Sequence, residues 1–263
     1  MSERILWLGG SHDRHLYYAN KLAENLNVVG GIMQVRENKV PVPPEGLEEI
    51  DRNNFVRHFK ERDEAELKYF GRQTPPPIEI RKVTKDELNT EETVEFVKEL
   101  KPDKAVIFGT GMIREPLASA LPEETYNLHL GLSPRYRGAA TLFWPFYMLE
   151  PNHAGTTFHR IVHSPDAGEI IHQVTPKLVK GDGIHDVACK AVLESTTEAV
   201  ELFSRDRYEF FSQKPEAGKN FLESDFKPQH LRVIYNAYNN DMVDAYLEGR
   251  LKSKETKLRR QWK

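Results

Sequence analysis

Asn127 and His129 stand two residues apart in the apolar run TYNLHLGL, which leads into SPRYRG. On an extended strand, residues i and i+2 face the same way, so the amide and the imidazole share one face near the strand's C-terminal end. An amide supplies neutral donors and an imidazole a titratable nitrogen. Together they suit acyl chemistry, in which one group moves a proton while the other donates to a developing oxyanion. Taken alone, a satisfied buried polar pair would look the same, and it is the commoner case.

The elements around this run say where such a pair would sit. RILWLGG (4–10) reads as a strand ending in Gly-Gly, and DRHLYYANKLAENL carries helical spacing at Leu16, Ala19, Leu22 and Leu26. A second strand follows at 28–35. Strand, helix, strand in direct succession predicts a βαβ unit and a parallel sheet. A Pro-rich loop, ENKVPVPPEGLEE, leads to a charged stretch with aromatics at helical spacing (51–73), read as one or two surface helices. A short strand (78–83), a helix with Thr90 as N-cap, and a buried strand with a glycine turn (104–111) come next. REPLASAL reads as a short helix and AATLFWPFYMLE as an apolar helix interrupted by Pro145, its aromatics packed in the core. GTTFHRIV and GEIIHQVTPKLV form a strand pair. A long helix over 182–205 presents Ile184, Val187, Ala191, Val192, Ala199 and Val200 as one stripe. A further helix is predicted over 228–251. The fold class expected is α/β: a Rossmann-like, mostly parallel sheet flanked by helices, with a small C-terminal appendage. In such sheets ligands bind beyond the C-terminal ends of the strands, where Asn127 and His129 fall.

Composition narrows the functions open to the chain. It has 263 residues, 39% hydrophobic and 29% charged, a soluble globular balance, and a formal net charge of −3. That charge gives no overall attraction to nucleic acid or to an anionic membrane, and the basic KLRRQWK ending reads as a solvated tail. No stretch approaches the ~18 apolar residues of a membrane span, and the apolar run near the N-terminus is too short for a signal peptide. Cys189 is the single cysteine, so no internal disulfide is available. It falls in a helical pattern and reads as a packed residue. A cytoplasmic location is expected. His153, His159, His163 and His172 do not have zinc-site spacing, and no metal is expected.

Two separated motifs settle the reading of the polar pair. NLHLGLSPRYRG, followed about thirty residues later by TTFHRIVHSPDAGEIIHQ, resembles the folate-dependent formyltransferases. That group includes glycinamide ribonucleotide transformylase, methionyl-tRNA formyltransferase and the sugar-nucleotide N-formyltransferases. Asn127, His129, Pro134, Tyr136 and Gly138 fall on the first family motif, and Asp166, Gly168 and Ile170 on the second. The resemblance extends more loosely over 4–203. It departs at Gly131, where the family usually has Ser, and at Ser133, where it usually has Leu; Gly131 removes a hydroxyl and allows closer approach of backbone or ligand.

The resemblance implies N10-formyltetrahydrofolate as formyl donor and an amine as acceptor. It casts Asn127 as oxyanion donor, His129 as acceptor of the amine proton, directly or through water, or as an aid to the oxyanion when protonated, and Asp166 as the group that sets the charge state of His129 and holds an ordered water. It implies donor contacts at Gly111, Met112 and Ile113 in the GTGMIREPL loop. It implies acceptor contacts at Gly10 and Ser11, whose N–H groups at a helix N-terminus favour phosphate, and at Tyr136. A tRNA-acting enzyme would carry a large basic C-terminal domain, whereas residues 206–263 are few and the net charge is negative. The purine enzyme lacks the 51–73 insertion and the tail. By elimination the acceptor expected is a nucleotide-linked amino sugar; the alternatives are a ribonucleotide glycinamide or another small amine. With water as acceptor the same residues would make a 10-formyltetrahydrofolate hydrolase, and with no turnover a folate- or nucleotide-binding module. The organisation expected is a catalytic domain over 1–205 and a mostly helical appendage over 206–263. Phe210, Phe211, Phe221, Leu231, Ile234, Tyr235, Tyr238 and Tyr246 in that appendage must be buried against the core or against a second subunit of a homodimer.

Overall fold

The computed structural model describes residues 2–35, 40–162, 166–214 and 217–262. His163 lies outside them. The chain opens with β1 (Ile5–Gly10), α1 (Asp13–Asn25) and β2 (Val28–Gln34), then α2 (Glu49–Phe70), β3 (Ile80–Val83), α3 (Glu91–Leu100), β4 (Lys104–Phe108) and α4 (Leu117–Ala120). It continues with β5 (Glu124–His129), β6 (Tyr136–Gly138), α5 (Trp144–Tyr147), β7 (Thr156–Arg160), β8 (Ile170–Val174), α6 (Ile184–Phe203), β9 (Lys219–Phe221) and α7 (Met242–Leu247).

Seven strands form one sheet in the order β3-β2-β1-β4-β5-β7-β8. The pairings from β3 through β5 are parallel, while β5–β7 and β7–β8 are antiparallel. Both faces of the central strands are covered, which is why β1 and β4 are buried along their whole length and read as continuous apolar runs. Alternation assigns the faces. Ile5, Trp7, Val106, Phe108, Tyr126 and Leu128 join Tyr18 and Leu22 of α1 and Val192, Ala199 and Leu202 of α6 in one core. Leu6, Leu8, Ala105 and Ile107 join Val94, Val97 and Leu100 of α3 in another. With Tyr126 and Leu128 committed to the α1–α6 side, Asn127 and His129 turn to the opposite face.

A third apolar cluster binds the segment after residue 205 to this framework. Phe221, Leu231, Ile234, Tyr235, Met242 and Val243 pack with Phe55 of α2, Phe143 and Trp144 near α5, and Ile184 and Val187 of α6. The ending docks as well: Trp262 stacks on His172 with ring centroids 4.2 Å apart, and Arg260 pairs with Glu198 at 2.6 Å. The solvated tail expected from KLRRQWK is therefore a docked strap where the structure describes it.

Local expectations fail in three places. The 228–251 helix is broken into a 3₁₀ turn (Pro228–His230), a π turn (Val233–Ala237) and α7. Asn239 and Asn240 between them take positive φ of 48° and 62°, which asparagine tolerates. The Asn240 side chain also accepts from the Ile184 N–H at 3.0 Å and so serves the start of α6. The helix predicted over 139–150 shrinks to α5, with Pro145 in its first turn. Thr90 sits at the N-cap of α3, but its hydroxyl donates to the Glu87 carbonyl at 3.1 Å and does not cap the helix.

Candidate active site

Antiparallel pairing of β5 with β7 sets Asn127 directly opposite His159, and one Asn127 amide N–H reaches His159 Nε2 at 3.2 Å. An amide has two such hydrogens, so one remains for a ligand. His159 Nδ1 donates to the Arg160 carbonyl at 2.8 Å, which fixes the ring with Nε2 toward Asn127. His129 is held in the same fashion. Its Nε2 donates to the Tyr136 carbonyl at 2.9 Å, leaving Nδ1 as the free base.

Asp166 sits between His129 Nδ1 and His159 Nε2. Oδ2 lies 3.3 Å from His129 Nδ1, and Oδ1 lies 3.3 Å from His159 Nε2. Oδ2 also accepts the Gly138 N–H at 2.9 Å. Gly138 takes φ +85°, and an added Cβ would meet the Phe221 carbonyl at 2.2 Å, so only glycine fits here. Burial alone would raise the Asp166 carboxyl. The charge of His129, the hydrogen bond and charge of His159 and the Gly138 N–H outweigh it and hold the carboxyl well below the usual range. Burial lowers His129, and Asp166 opposes that shift. An ionised carboxylate thus lies within 3.3 Å of a ring nitrogen of each imidazole. A proton delivered to either ring is stabilised by that carboxylate, which suits the cluster to take a proton up and give it back.

These residues open on a cavity of about 480 Å³. Its near wall holds Asn127, His129, Gly138, Thr141 and Asp166, and its far wall holds His58, Phe59 and Arg62 of α2, His185 of α6 and Phe226. The cluster Asn127, His129 and Asp166 read from sequence is brought together. Other expected contacts fall elsewhere. Tyr136 is buried, and its hydroxyl donates to Glu150 at 2.8 Å. It therefore meets His129 through its carbonyl and positions the imidazole; it does not line the cavity. From the β4 loop Gly109 and Thr110 line the cavity, while Gly111, Met112 and Ile113 do not; the Gly111 N–H donates to Gln34 at 2.6 Å. Gly10 packs on the His15 ring, and neither Gly10 nor Ser11 lines the cavity. Gly131 offers no room to a ligand: His129, the Tyr136 carbonyl and Thr141 already fill the space a Cβ would need.

Sequence reasoning missed His159 and the far wall. The sequence placed His159 on a strand, but the pairing of that strand with β5, which sets it opposite Asn127, is seen only in the structure. The far wall had no local signal, because it forms only when α2 meets α6. Among the described residues no group of three or more His, Cys, Asp or Glu side chains could hold a metal ion, and no helix is long and apolar enough to cross a membrane.

Comparison with known proteins comes next. A family model described as formyl transferase matches residues 22–200, more than half the chain. Phosphoribosylglycinamide formyltransferase from Anaplasma phagocytophilum superposes with a TM-score of 0.55 at 17% identity, covering 78% of this chain and 89% of that one. An N-formyltransferase from Helicobacter canadensis, solved with folinic acid and dTDP-3-aminofucose, superposes with a TM-score of 0.54 at 15% identity and covers 97% of this chain and 85% of its own. A 4-N formyltransferase from Francisella tularensis gives 0.51 at 13% identity, with coverage of 85% and 78%. At these identities the likeness is one of fold.

Proposed function

The chain belongs to the formyl transferase family, and from that premise we propose that it moves a formyl group from N10-formyltetrahydrofolate to the amino group of a nucleotide-linked amino sugar. The observation that carries the reading is the Asp166 carboxylate between His129 Nδ1 and His159 Nε2, beside an Asn127 amide with a donor to spare. N10-formyltetrahydrofolate supplies the activated formyl carbon. The residues present fit such a donor: the Asn127 amide, the His129 imidazole and the Asp166 carboxylate line a cavity of about 480 Å³.

Asn127 donates its second N–H to the oxygen that gains charge as the amine adds to the formyl carbon. His129 Nδ1 takes the proton that the amine loses, and Asp166 stabilises the resulting imidazolium. The same proton is then available to the departing nitrogen, so the cluster ends as it began. Gly111, Met112 and Ile113 continue the loop whose first residues line the cavity, and we place the donor along them. Gly10 and Ser11 are assigned to the acceptor side, next to His15 at the cavity edge.

The acceptor class draws support from the far wall and from length. Fold likeness extends over 97% of this chain with the Helicobacter canadensis enzyme, against 78% with the Anaplasma phagocytophilum enzyme. Residues 206–262 complete the acceptor side and are assigned here as an appendage to a catalytic domain over 1–205. The test is incubation with N10-formyltetrahydrofolate, with and without nucleotide-linked amino sugars. Formamido product with release of tetrahydrofolate is expected only when amine is present. Tetrahydrofolate formed at the same rate without amine would make the protein a hydrolase and overturn the reading.

A further inference from the structure

We propose that the end of the cavity between α2 and the start of α6 is a nucleobase subsite, where His185 Nε2 accepts a hydrogen bond from the imide N–H of a uracil or thymine ring. The inference rests on the acceptor reading above and specifies which nucleotides it admits.

His185 lines the cavity and is 7% exposed. Its ring is bonded to the backbone of His58, while Nε2 is buried with no hydrogen-bond partner. A buried polar atom left unsatisfied in the free protein is a position a ligand can satisfy. Burial, and then the charge of Arg62, hold His185 down to about 3. At neutral pH the ring is uncharged, its bonded nitrogen donates to the His58 carbonyl, and Nε2 offers a lone pair. The ligand must therefore be the donor.

The surroundings say what carries that donor. The His58 ring lies 4.4 Å from His185 and accepts or donates at Nδ1 only to the Tyr235 hydroxyl, 3.0 Å away. Phe59 lies 5.2 Å from the His58 ring, Phe143 lies 6.2 Å from it, and Phe226 lies 5.0 Å from Phe143. All three phenyl rings line the cavity. A flat ring packs well against such a wall. A sugar ring with several hydroxyls would find too few polar partners. Arg62 lies on the same face of α2, one turn beyond His58, and puts positive charge where a nucleotide's phosphates would follow its base. Uracil and thymine present an imide N–H to Nε2. Cytosine presents a lone pair at the corresponding nitrogen and is repelled.

Titration calorimetry of the full chain with UDP, dTDP and CDP tests this. UDP and dTDP are expected to bind about tenfold or more tightly than CDP, the size of one buried hydrogen bond against an unpaired one. His185→Phe should bring UDP to the CDP level and leave binding of folinic acid unchanged. Equal affinity for UDP and CDP in the unaltered protein overturns the subsite, as does a UDP preference that survives in His185→Phe. Loss of folinic acid binding in a folded His185→Phe variant would assign this end of the cavity to the formyl donor and also overturn it. Should His185→Phe not fold, the UDP-to-CDP ratio of the unaltered chain still decides. Formylation of a nucleotide-linked amino sugar without base discrimination sinks the subsite alone; formylation only of amines without a nucleotide sinks the acceptor reading as well.

Discussion

Replacing Gly131 by Ala adds one carbon at the point where the His129 imidazole is anchored. That carbon would lie 2.5 Å from His129 Nε2, 2.6 Å from the Tyr136 carbonyl oxygen and 2.7 Å from Thr141 Cβ. The first two atoms are the ends of the 2.9 Å hydrogen bond that fixes the His129 ring. Ordinary contact begins near ~3.5 Å, so ring and carbonyl must each retreat by about 0.9 Å. Strain from overpacking costs about 1–3 kcal/mol, and loss of the buried hydrogen bond about 1–3 kcal/mol more. Backbone φ at Gly131 is ordinary, so alanine also stiffens the unfolded chain and returns about 0.4–1 kcal/mol. A net loss of about 1–5 kcal/mol is expected, which at ~2–4 °C per kcal/mol for a chain of this size lowers Tm by roughly 2–20 °C. The larger effect is on chemistry. Displacing a catalytic group by about 1 Å costs about 10²-fold, so kcat for formyl transfer should fall by about that factor while KM for the donor changes little. Melting scans and steady-state assays at saturating donor and amine read both effects. A variant that keeps kcat within about twofold and melts unchanged would show that the His129–Tyr136 bond does not position the imidazole.

His129→Ala and Asp166→Asn should each lower kcat by about 10²-fold or more with the fold intact; near-normal turnover in either variant removes that residue from the mechanism. Val192, 2% exposed and central to the α6 stripe, should tolerate no charge: Val192→Asp is expected to cost several kcal/mol, and unchanged denaturant unfolding would refute that. Acid should weaken the protein through the far wall. Burial lowers His58, and lowers His185 to about 3, below the ordinary 6.5. The unfolded chain then binds protons that the folded chain refuses, so their contribution is complete above about pH 6.5 and is lost as pH falls toward the folded values. Each imidazole adds up to about 1.4 kcal/mol per pH unit in that window. Urea unfolding from pH 7 to pH 4 should show the slope, and His185→Phe should flatten it; equal slopes in the two proteins would refute the assignment.

Legibility of this sequence depended on distance along the chain. β1, α1, β2 and α6 could be read because each carries its own period and its own stop, and because the core rewards the same alternation that the pattern displays. Asn127, His129 and Asp166 were singled out because two short motifs carry them, and the fold brings them to one cavity. Tyr136 was misassigned as a ligand contact because sequence gives the residue and not which of its groups meets the site: the carbonyl, which every residue has, is what touches His129. Gly131 was read as allowing closer approach of backbone or ligand, and it is the backbone of Tyr136, with His129, that approaches. A missing side chain can admit a ligand or a neighbouring residue, and here His129 and Tyr136 take the room. The helix expected over 228–251 failed because helical spacing there reflects burial against α2 and α6, and the YNN turn overrides propensity.

The far wall shows why 206–262 matters to the site without supplying a catalytic group. Tyr235 fixes His58 through its hydroxyl, and Phe226 packs against Phe143. Phe221 stacks at 4.4 Å on Trp144 and at 6.1 Å on Tyr136, the residue whose carbonyl anchors His129. β9 pairs in register with β6, bringing the Phe221 backbone against Gly138, whose N–H holds Asp166. One segment thus braces the His129 anchor, the Asp166 anchor and the His58–His185 wall. Loosening it would move the proton-transfer cluster and the far wall of the cavity together. A chain that needs both walls at a fixed separation gains more from one shared brace than from two independent ones, because rigid supporting contacts are what hold reacting groups to the sub-ångström tolerance of acyl transfer.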